Sequence, residues 1–238
     1  IPVLALTDEK DFAPLFGSDA HMARAHKSAL WLYDSAQADG LQLDVSIPHD
    51  ASEAQLYAFR QWLIALKAQL SKRDARATLN LAWRGEYPTQ WLDKELAGTL
   101  DFVVLRVFDT PTTAQKTVGA VVRQFADIKT LQTTVSALIA QGISSPEIVL
   151  ALPTFAWQWS HKRGELGKAI PLHQVANLKP ARCNSQGQCV VKRAGQMVSY
   201  ESASSIRRYV NFAREQHLGG VLLWPLGYDK DVLLKTLK

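Results

Sequence analysis

The chain has 238 residues, 47% of them hydrophobic and 21% charged, the composition of an ordinary globular protein. That length suits one large α/β domain better than two small ones, and no stretch approaches the ~20 continuous apolar residues needed to cross a bilayer, so no transmembrane segment is expected. The formal charge of +5 is spread along the sequence without a block of like charges or a nucleic-acid-binding motif, which reads as a solvated basic surface and excludes nucleic acid as the expected partner.

Ile1–Leu6 reads as a short strand; the chain opens without an initiator Met, and a segment upstream is expected to have been removed. Residues 19–38 have helical periodicity, with Met22, Ala25, Ala29, Leu32, Tyr33 and Ala36 at three- and four-residue steps and Asp19 placed to cap the start. Gly40 permits the turn into a strand at Leu41–Ile47, which Pro48 stops. Ser52 and Gln55 predict a capping box for a helix to Leu70 that carries Leu56, Phe59, Leu63, Leu66 and Leu70 on one face. A strand at Ala77–Trp83, a short helix near 89–97 and a strand at Phe102–Phe108 interrupted by Arg106 follow. Next come a helix at 126–141 closed by Gly142 and a strand at Ile148–Pro153. Residues 160–200 break the alternation and read as a small β-rich insertion, before a helix at 203–216, a strand at Val221–Trp224 and a closing helix at 229–237.

Apolar strands separated by helices predict a parallel sheet buried on both faces. Six strands are found where a closed barrel needs eight. The expectation is a single (β/α)8 TIM-barrel-type domain over 1–238 that lacks the first two strands; the residues alone leave an open, doubly wound sheet as the alternative. Cys183 and Cys189 flank a turn-forming stretch and predict a disulfide in an exported chain, or two free thiols on a hairpin otherwise. Their spacing fits no zinc site, the histidines show no metal-ligand spacing, and no cofactor is expected.

In a barrel of this kind the functional groups stand at the C-terminal ends of the strands. The chain places there Thr7, Asp8 and Glu9; Asp44, Ser46 and His49; Trp83, Arg84 and Glu86; Arg106, Phe108 and Asp109; Phe155, Trp157, Gln158 and Trp159; and Trp224 and Tyr228. Aromatic rings beside carboxylates and an Arg suit a sugar-binding cleft: the CH face of a pyranose packs on a ring while its hydroxyls take charged partners. The competing reading makes the tryptophans large core residues.

Asp39-Gly40-Leu41-Gln42-Leu43-Asp44-Val45-Ser46 resembles the signature strand of family 18 glycoside hydrolases, D-G-x-D-x-D-x-E, whose last residue is the proton donor. Asp39, Gly40 and Asp44 match; Gln42 replaces the middle Asp and Ser46 replaces the Glu. Phe12 to Leu30 is similar to the helix before that strand. The stretch from Asp101 to Asp109 resembles D-F-V-N-V-M-T-Y-D, with Asp109 on the sugar-contacting Asp and Phe108 on the Tyr, and Ile148 to Phe155 resembles V-x-L-G-x-P-x-Y. Val198-Ser199-Tyr200-Glu201, Ser205-Ile206-Arg207 and Gly219 through Trp224 follow the C-terminal run, whose final Trp forms the floor under the sugar. By this resemblance Ile1–Leu6 is strand three of eight and the Ser46 hydroxyl faces the barrel mouth. Gln42 through Pro48 and the helix near Ser52 also resemble a bacterial branch of the superfamily labelled DUF3142.

The resemblance implies an exported chitinase-like fold, secreted or in the periplasm or cell envelope, with a carbohydrate as partner. The family cleaves β-linked N-acetylglucosamine polymers by substrate assistance, in which the substrate's acetamido oxygen attacks and the enzyme supplies only the proton donor. Ser46 is far too weak an acid for that role, and losing general-acid help typically costs about 10²–10⁴ in rate. The first reading is therefore a catalytically degenerate protein that binds a polysaccharide or N-acetylglucosamine-containing glycan, through Asp44 and Asp109 with Trp83, Glu86, Arg106, Phe108, Phe155, Trp157, Trp224 and Tyr228. Two others stay open: an active hydrolase using Asp44 with Asp109, or Glu86, and a structural envelope domain without ligand. Asp44 also has a structural reading, as an interior carboxylate paired with Arg106.

Overall fold

The computed structural model describes residues 3–6, 8–45, 47–48, 50–81, 98–108, 126–160, 168–175, 182–193, 196–225, 227–230 and 233. The chain divides into two compact units, Ile1–Ala82 with Glu86–Leu105 and Thr134–Ile148, and Trp83–Gly85 with Arg106–Thr133 and Val149–Lys238. The expected short helix near 89–97 lies outside the described residues. Of the expected closing helix at 229–237, Asp229, Lys230 and Leu233 are described, in a bend and turns.

In the first unit, strands β1 (Val3–Leu6), β2 (Gly40–Val45), β3 (Arg76–Leu81) and β4 (Phe102–Arg106) pair in that order, all parallel. Between them run helices α1 (Phe12–Phe16), α2 (Asp19–Ala36) and α3 (Glu53–Ser71). Gly40 opens β2 because a Cβ there would lie 2.5 Å from the Arg76 carbonyl oxygen on the neighbouring strand. The cap of α2 is Ser18 rather than the expected Asp19: the extended Ser18 presents its hydroxyl to the His21 amide at 3.4 Å, and Asp19 becomes the first helical residue, where its charge favours the helix dipole. For α3 the box forms as read, with Gln55 Oε1 accepting from the Ser52 amide at 2.9 Å and Ser52 Oγ from the Gln55 amide at 3.3 Å. Its stripe of Leu56, Phe59, Leu63, Leu66 and Leu70 is buried, and Phe59 and Trp62 pack against Phe12 and Phe16 of α1. The Trp62 indole N–H donates to the Met22 carbonyl at 3.1 Å, fastening α3 to α2.

The second unit holds a parallel pair and an antiparallel sheet. Strands β5 (Ile148–Pro153) and β11 (Gly220–Trp224) run parallel, Leu150 beside Val221 and Leu152 beside Leu223. Helix α4 (Ile128–Ala140) precedes β5 in the chain. Strands β6 (Phe155–Ser160), β7 (Lys168–Pro171), β8 (Arg182–Cys183), β9 (Gln188–Arg193) and β10 (Gln196–Glu201) form one sheet in the order β7-β6-β10-β9-β8. The β-rich segment thus begins at Phe155, before the expected residue 160. The ladder changes partners at Thr154, whose amide donates to the Trp224 carbonyl at 2.8 Å and whose carbonyl accepts from Leu172 at 3.0 Å.

Cys183 and Cys189 form a disulfide across the β8–β9 turn. Gly187 in that turn has φ +84°, and a Cβ there would lie 2.9 Å from Ser202 Oγ and 3.0 Å from Ser205 Cβ. Its carbonyl accepts from the Ser202 amide at 3.1 Å. Ser202 also caps helix α5 (Ala203–Glu215), its hydroxyl accepting from the Ser205 amide at 3.3 Å. No helix among the described residues is long and apolar enough to cross a membrane.

Candidate functional site

Four of the expected site residues, Ser46, Trp83, Glu86 and Asp109, lie outside the described residues, as do Thr7, Arg84 and His49. In the first unit, β2 carries the described part of the signature strand. Leu41 and Leu43 are buried, and Gln42 and Asp44, half-buried, alternate with them and so share the opposite face. Asp44 stands in register with Ala5 of β1 and Asn80 of β3, near the C-terminal end of all three strands. This is where a parallel strand delivers a functional carboxylate.

The second unit gathers Phe108, Phe155, Trp157 and Trp224. Val107 brings Phe108 beside β5, its amide donating to the Ala151 carbonyl at 3.2 Å. Trp224 ends β11. Its ring lies nearly parallel to Phe108, 17° between planes and 5.8 Å between centroids, and meets Phe155 edge-on at 6.0 Å. Phe108 and Phe155 meet edge-on at 5.1 Å, and Trp157 follows Phe155 at 4.9 Å. Each such pair adds ~0.5–1.5 kcal/mol beyond the area it buries. Phe108 and Phe155 are 2% and 1% exposed, whereas Trp224 is 46% exposed. An indole is thereby held on two buried rings with much of its surface open to solvent. Phe108, Phe155 and Trp157 are buried, the first two in contact with Trp224 and Trp157 beyond Phe155, while Trp224 presents the open ring.

The remaining two candidates differ. Arg106 is half-buried at the end of β4. Tyr228 is half-buried too, and its carbonyl accepts from both the His173 amide, at 3.2 Å, and the His173 Nδ1, at 2.9 Å. Its backbone therefore anchors the turn after β7.

Sequence reading assigned no role to Glu201, at the end of β10. The side chain is 1% exposed and accepts from the hydroxyls of Ser205 and Tyr209, while Tyr209 also donates to the Ala126 carbonyl at 2.7 Å. Burial pushes the carboxyl from 4.5 up to about 7, against the opposing pull of hydrogen bonds from Ser205, Gln188 and Tyr209 and the charge of Arg208. Burial likewise drives the Tyr209 phenol well above its usual value. The spacing of Glu201, Ser205 and Tyr209, four residues apart each time, is the signal that was available. A cavity of about 640 Å³ borders this group, with Asn184, Gly187, Tyr200, Ser204 and Arg208 among its walls. Among the described residues no cluster of His, Cys, Asp or Glu is arranged to hold a metal ion.

Comparison with known proteins agrees with the strand signature. The profile described as "Glycosyl hydrolases family 18" matches residues 6–229. A GH18 chitinase from Cycas revoluta, solved in complex with (GlcNAc)3, is similar at 19% identity and a TM-score of 0.73, covering 98% of this chain and 78% of its own. A chitinase-like agglutinin from Robinia pseudoacacia is similar at 16% identity and a TM-score of 0.72, covering 98% and 79%. The second catalytic domain of a Group II chitinase from Ostrinia furnacalis is similar at 15% and 0.69, covering 98% and 77%. Likeness at these identities shows the fold, which is of the TIM-barrel type. A comparison with curated protein sequences finds no match.

Proposed function

The chain belongs to family 18 of the glycosyl hydrolases, and from that premise we propose that it is an exported chitinase-like protein that binds a glycan and does not hydrolyse it as a chitinase would. The observation that carries the reading is Trp224, an indole kept half open to solvent by the buried rings of Phe108 and Phe155. A flat apolar ring of this kind takes the CH face of a pyranose. The sequence supplies the other half: Ser46 and Gln42 stand where the resemblance places the proton donor and its neighbouring Asp. A serine hydroxyl does not protonate a leaving oxygen near neutral pH, so binding is retained where the chemistry is not. That an agglutinin and a chitinase complexed with (GlcNAc)3 share the fold supports a carbohydrate as the partner and N-acetylglucosamine oligomers as the first probes. The Cys183–Cys189 bond supports an oxidising, secreted or periplasmic, location.

Calorimetric titration of the full chain with the N-acetylglucosamine trisaccharide, with the mixture then analysed for products, tests this. Binding without cleavage is expected. Cleavage that disappears in Asp44→Asn would favour a working carboxylate, and no binding across a panel of oligosaccharides would favour a structural envelope domain. A gain-of-function variant is sharper. Ser46→Glu with Gln42→Asp is expected to acquire slow hydrolysis, on the order of 10²–10⁴-fold above the unsubstituted chain. A folded double variant that binds sugar and stays inert counts against an intact cleft.

A further inference from the structure

We propose that the cavity at the head of α5 binds a small organic acid, whose carboxylate and other acceptor oxygens are held by the first turn of α5, Arg208 and the Tyr200 hydroxyl, and whose apolar body lies against the Cys183–Cys189 bridge and Leu233. Phe108, Phe155 and Trp224 do not line this cavity, and the proposal does not depend on the glycan reading.

The cavity, about 640 Å³, has the size of a small-ligand site. One of its walls is a face of the antiparallel sheet. Tyr200 of β10 stands opposite Cys189 of β9, which stands opposite Cys183 of β8, so these three side chains project together, and all three line the cavity. Tyr200 is 6% exposed. Burial pushes its phenol above the usual value with no hydrogen bond acting on it, and the hydroxyl has no partner among the described residues. A buried phenol ordinarily finds one. Tyr209 does so in the same chain, donating to the Ala126 carbonyl at 2.7 Å.

The other unfinished groups around the cavity are donors. The amides of Ala203 and Ser204, in the first turn of α5, have no intrahelical acceptor. The hydroxyls of Ser202 and Ser204 lie 2.8 Å apart, and their mutual bond uses one of the two protons. Arg208 spends one guanidinium nitrogen on the Ser185 carbonyl at 2.8 Å and on Gln186 Oε1 at 3.0 Å, leaving the rest of its fork. Glu201, the acid bordering the cavity, is occupied by Ser205 and Tyr209, and burial lifts its carboxyl to about 7, so it is largely uncharged at pH 6. A ligand that brings acceptors and one negative charge matches this donor set and the positive end of the helix. The disulfide, Leu172 and Leu233 supply apolar wall, which suits hydrocarbon rather than a bare inorganic anion.

The test titrates the 15N-labelled full chain at pH 6 with 4-phenylbutyrate, its amide and 4-phenylbutylamine, which share one apolar body and differ in the head group. The backbone amide resonances of Gly187, Ala203 and Ser204 report the site. The acid is expected to move them with an affinity about tenfold or more above that of the amide, and the amine to leave them still. Tyr200→Phe, which keeps the ring and removes the hydroxyl, is expected to weaken the acid about three- to tenfold. Should that variant not fold, Arg208→Gln takes its place, with an expected loss of about tenfold. Three compounds that bind alike would make the cavity a merely apolar one, and an acid that leaves these resonances still up to millimolar concentration would remove the site. Either result, or undiminished affinity in the folded variant, overturns the proposal.

Discussion

Trp224 and Glu201 each close a strand of the second unit, yet one is left half open and the other is sealed. Around Trp224 the neighbours are rings whose dispersion and edge-to-face contacts hold the indole from beneath and leave its far side free. Around Glu201 each neighbour is a hydrogen-bond partner, and the carboxyl is withdrawn from water. A surface prepared for a ligand leaves something unfinished; a structural tie completes its own bonding. By that criterion the second region is a fastener between β10 and α5, and the first is where the proposed glycan would rest.

Three substitutions test the contrast. The largest effect on stability is expected from Phe155→Ala, which removes a fully buried ring supporting Trp224. It should lower unfolding free energy by about 3–5 kcal/mol in urea denaturation and abolish sugar binding together with it. A loss below about 1 kcal/mol would mean the rings are loosely stacked.

Next comes Glu201→Gln. The folded carboxyl titrates near 7 and the unfolded one near 4.5. With the folded value raised, its contribution is fully present below about 4.5 and is lost as pH rises through 7, a swing on the order of 3 kcal/mol. Replacing the acid by an amide removes this term. The stability difference between pH 5 and pH 8, measured by denaturation, should therefore be smaller in the variant by roughly that amount. Equal pH slopes in the two proteins would show that Glu201 is not buried as described.

The smallest of the three is Trp224→Ala. Losing the open ring should weaken sugar binding about 10- to 100-fold, the worth of burying a large apolar side chain. Being half-exposed, it should change stability by less than about 1 kcal/mol. A large stability loss with unchanged affinity would reverse the assignment of the two regions.

Much of this was legible in the residues because its causes are local. The α3 capping box and stripe follow from Ser52, Gln55 and a 3.6-residue period, and both are found. The family strand is carried by a contiguous motif and needs no contact map. Where the cause is a tertiary contact, the residues were less informative. Phe155, Trp157 and Trp159 alternate with Ala156, Gln158 and Ser160, a strand signal, yet whether they end a barrel strand or begin another sheet depends on where the Thr154 backbone bonds. The cap of α2 went to Ser18 because the choice between two adjacent oxygen-bearing residues rests on one backbone angle. Glu201, matched only as one residue of the C-terminal run, was given no role because its setting depends on Ala126 and Gln188, which precede it by many residues. Of the described aromatic candidates, exposure is what separates Trp224 from the rest, and exposure is a property of the folded chain.

Gly187 carries a practical corollary. The Cys183–Cys189 turn has the composition that protein engineers choose for tags, epitopes and randomised loops. Yet any side chain at Gly187 would meet the serines at the head of α5, and the Gly187 carbonyl is bonded to Ser202. A saturation library should retain glycine there while tolerating diversity at Ser185, so grafted peptides belong elsewhere on the molecule.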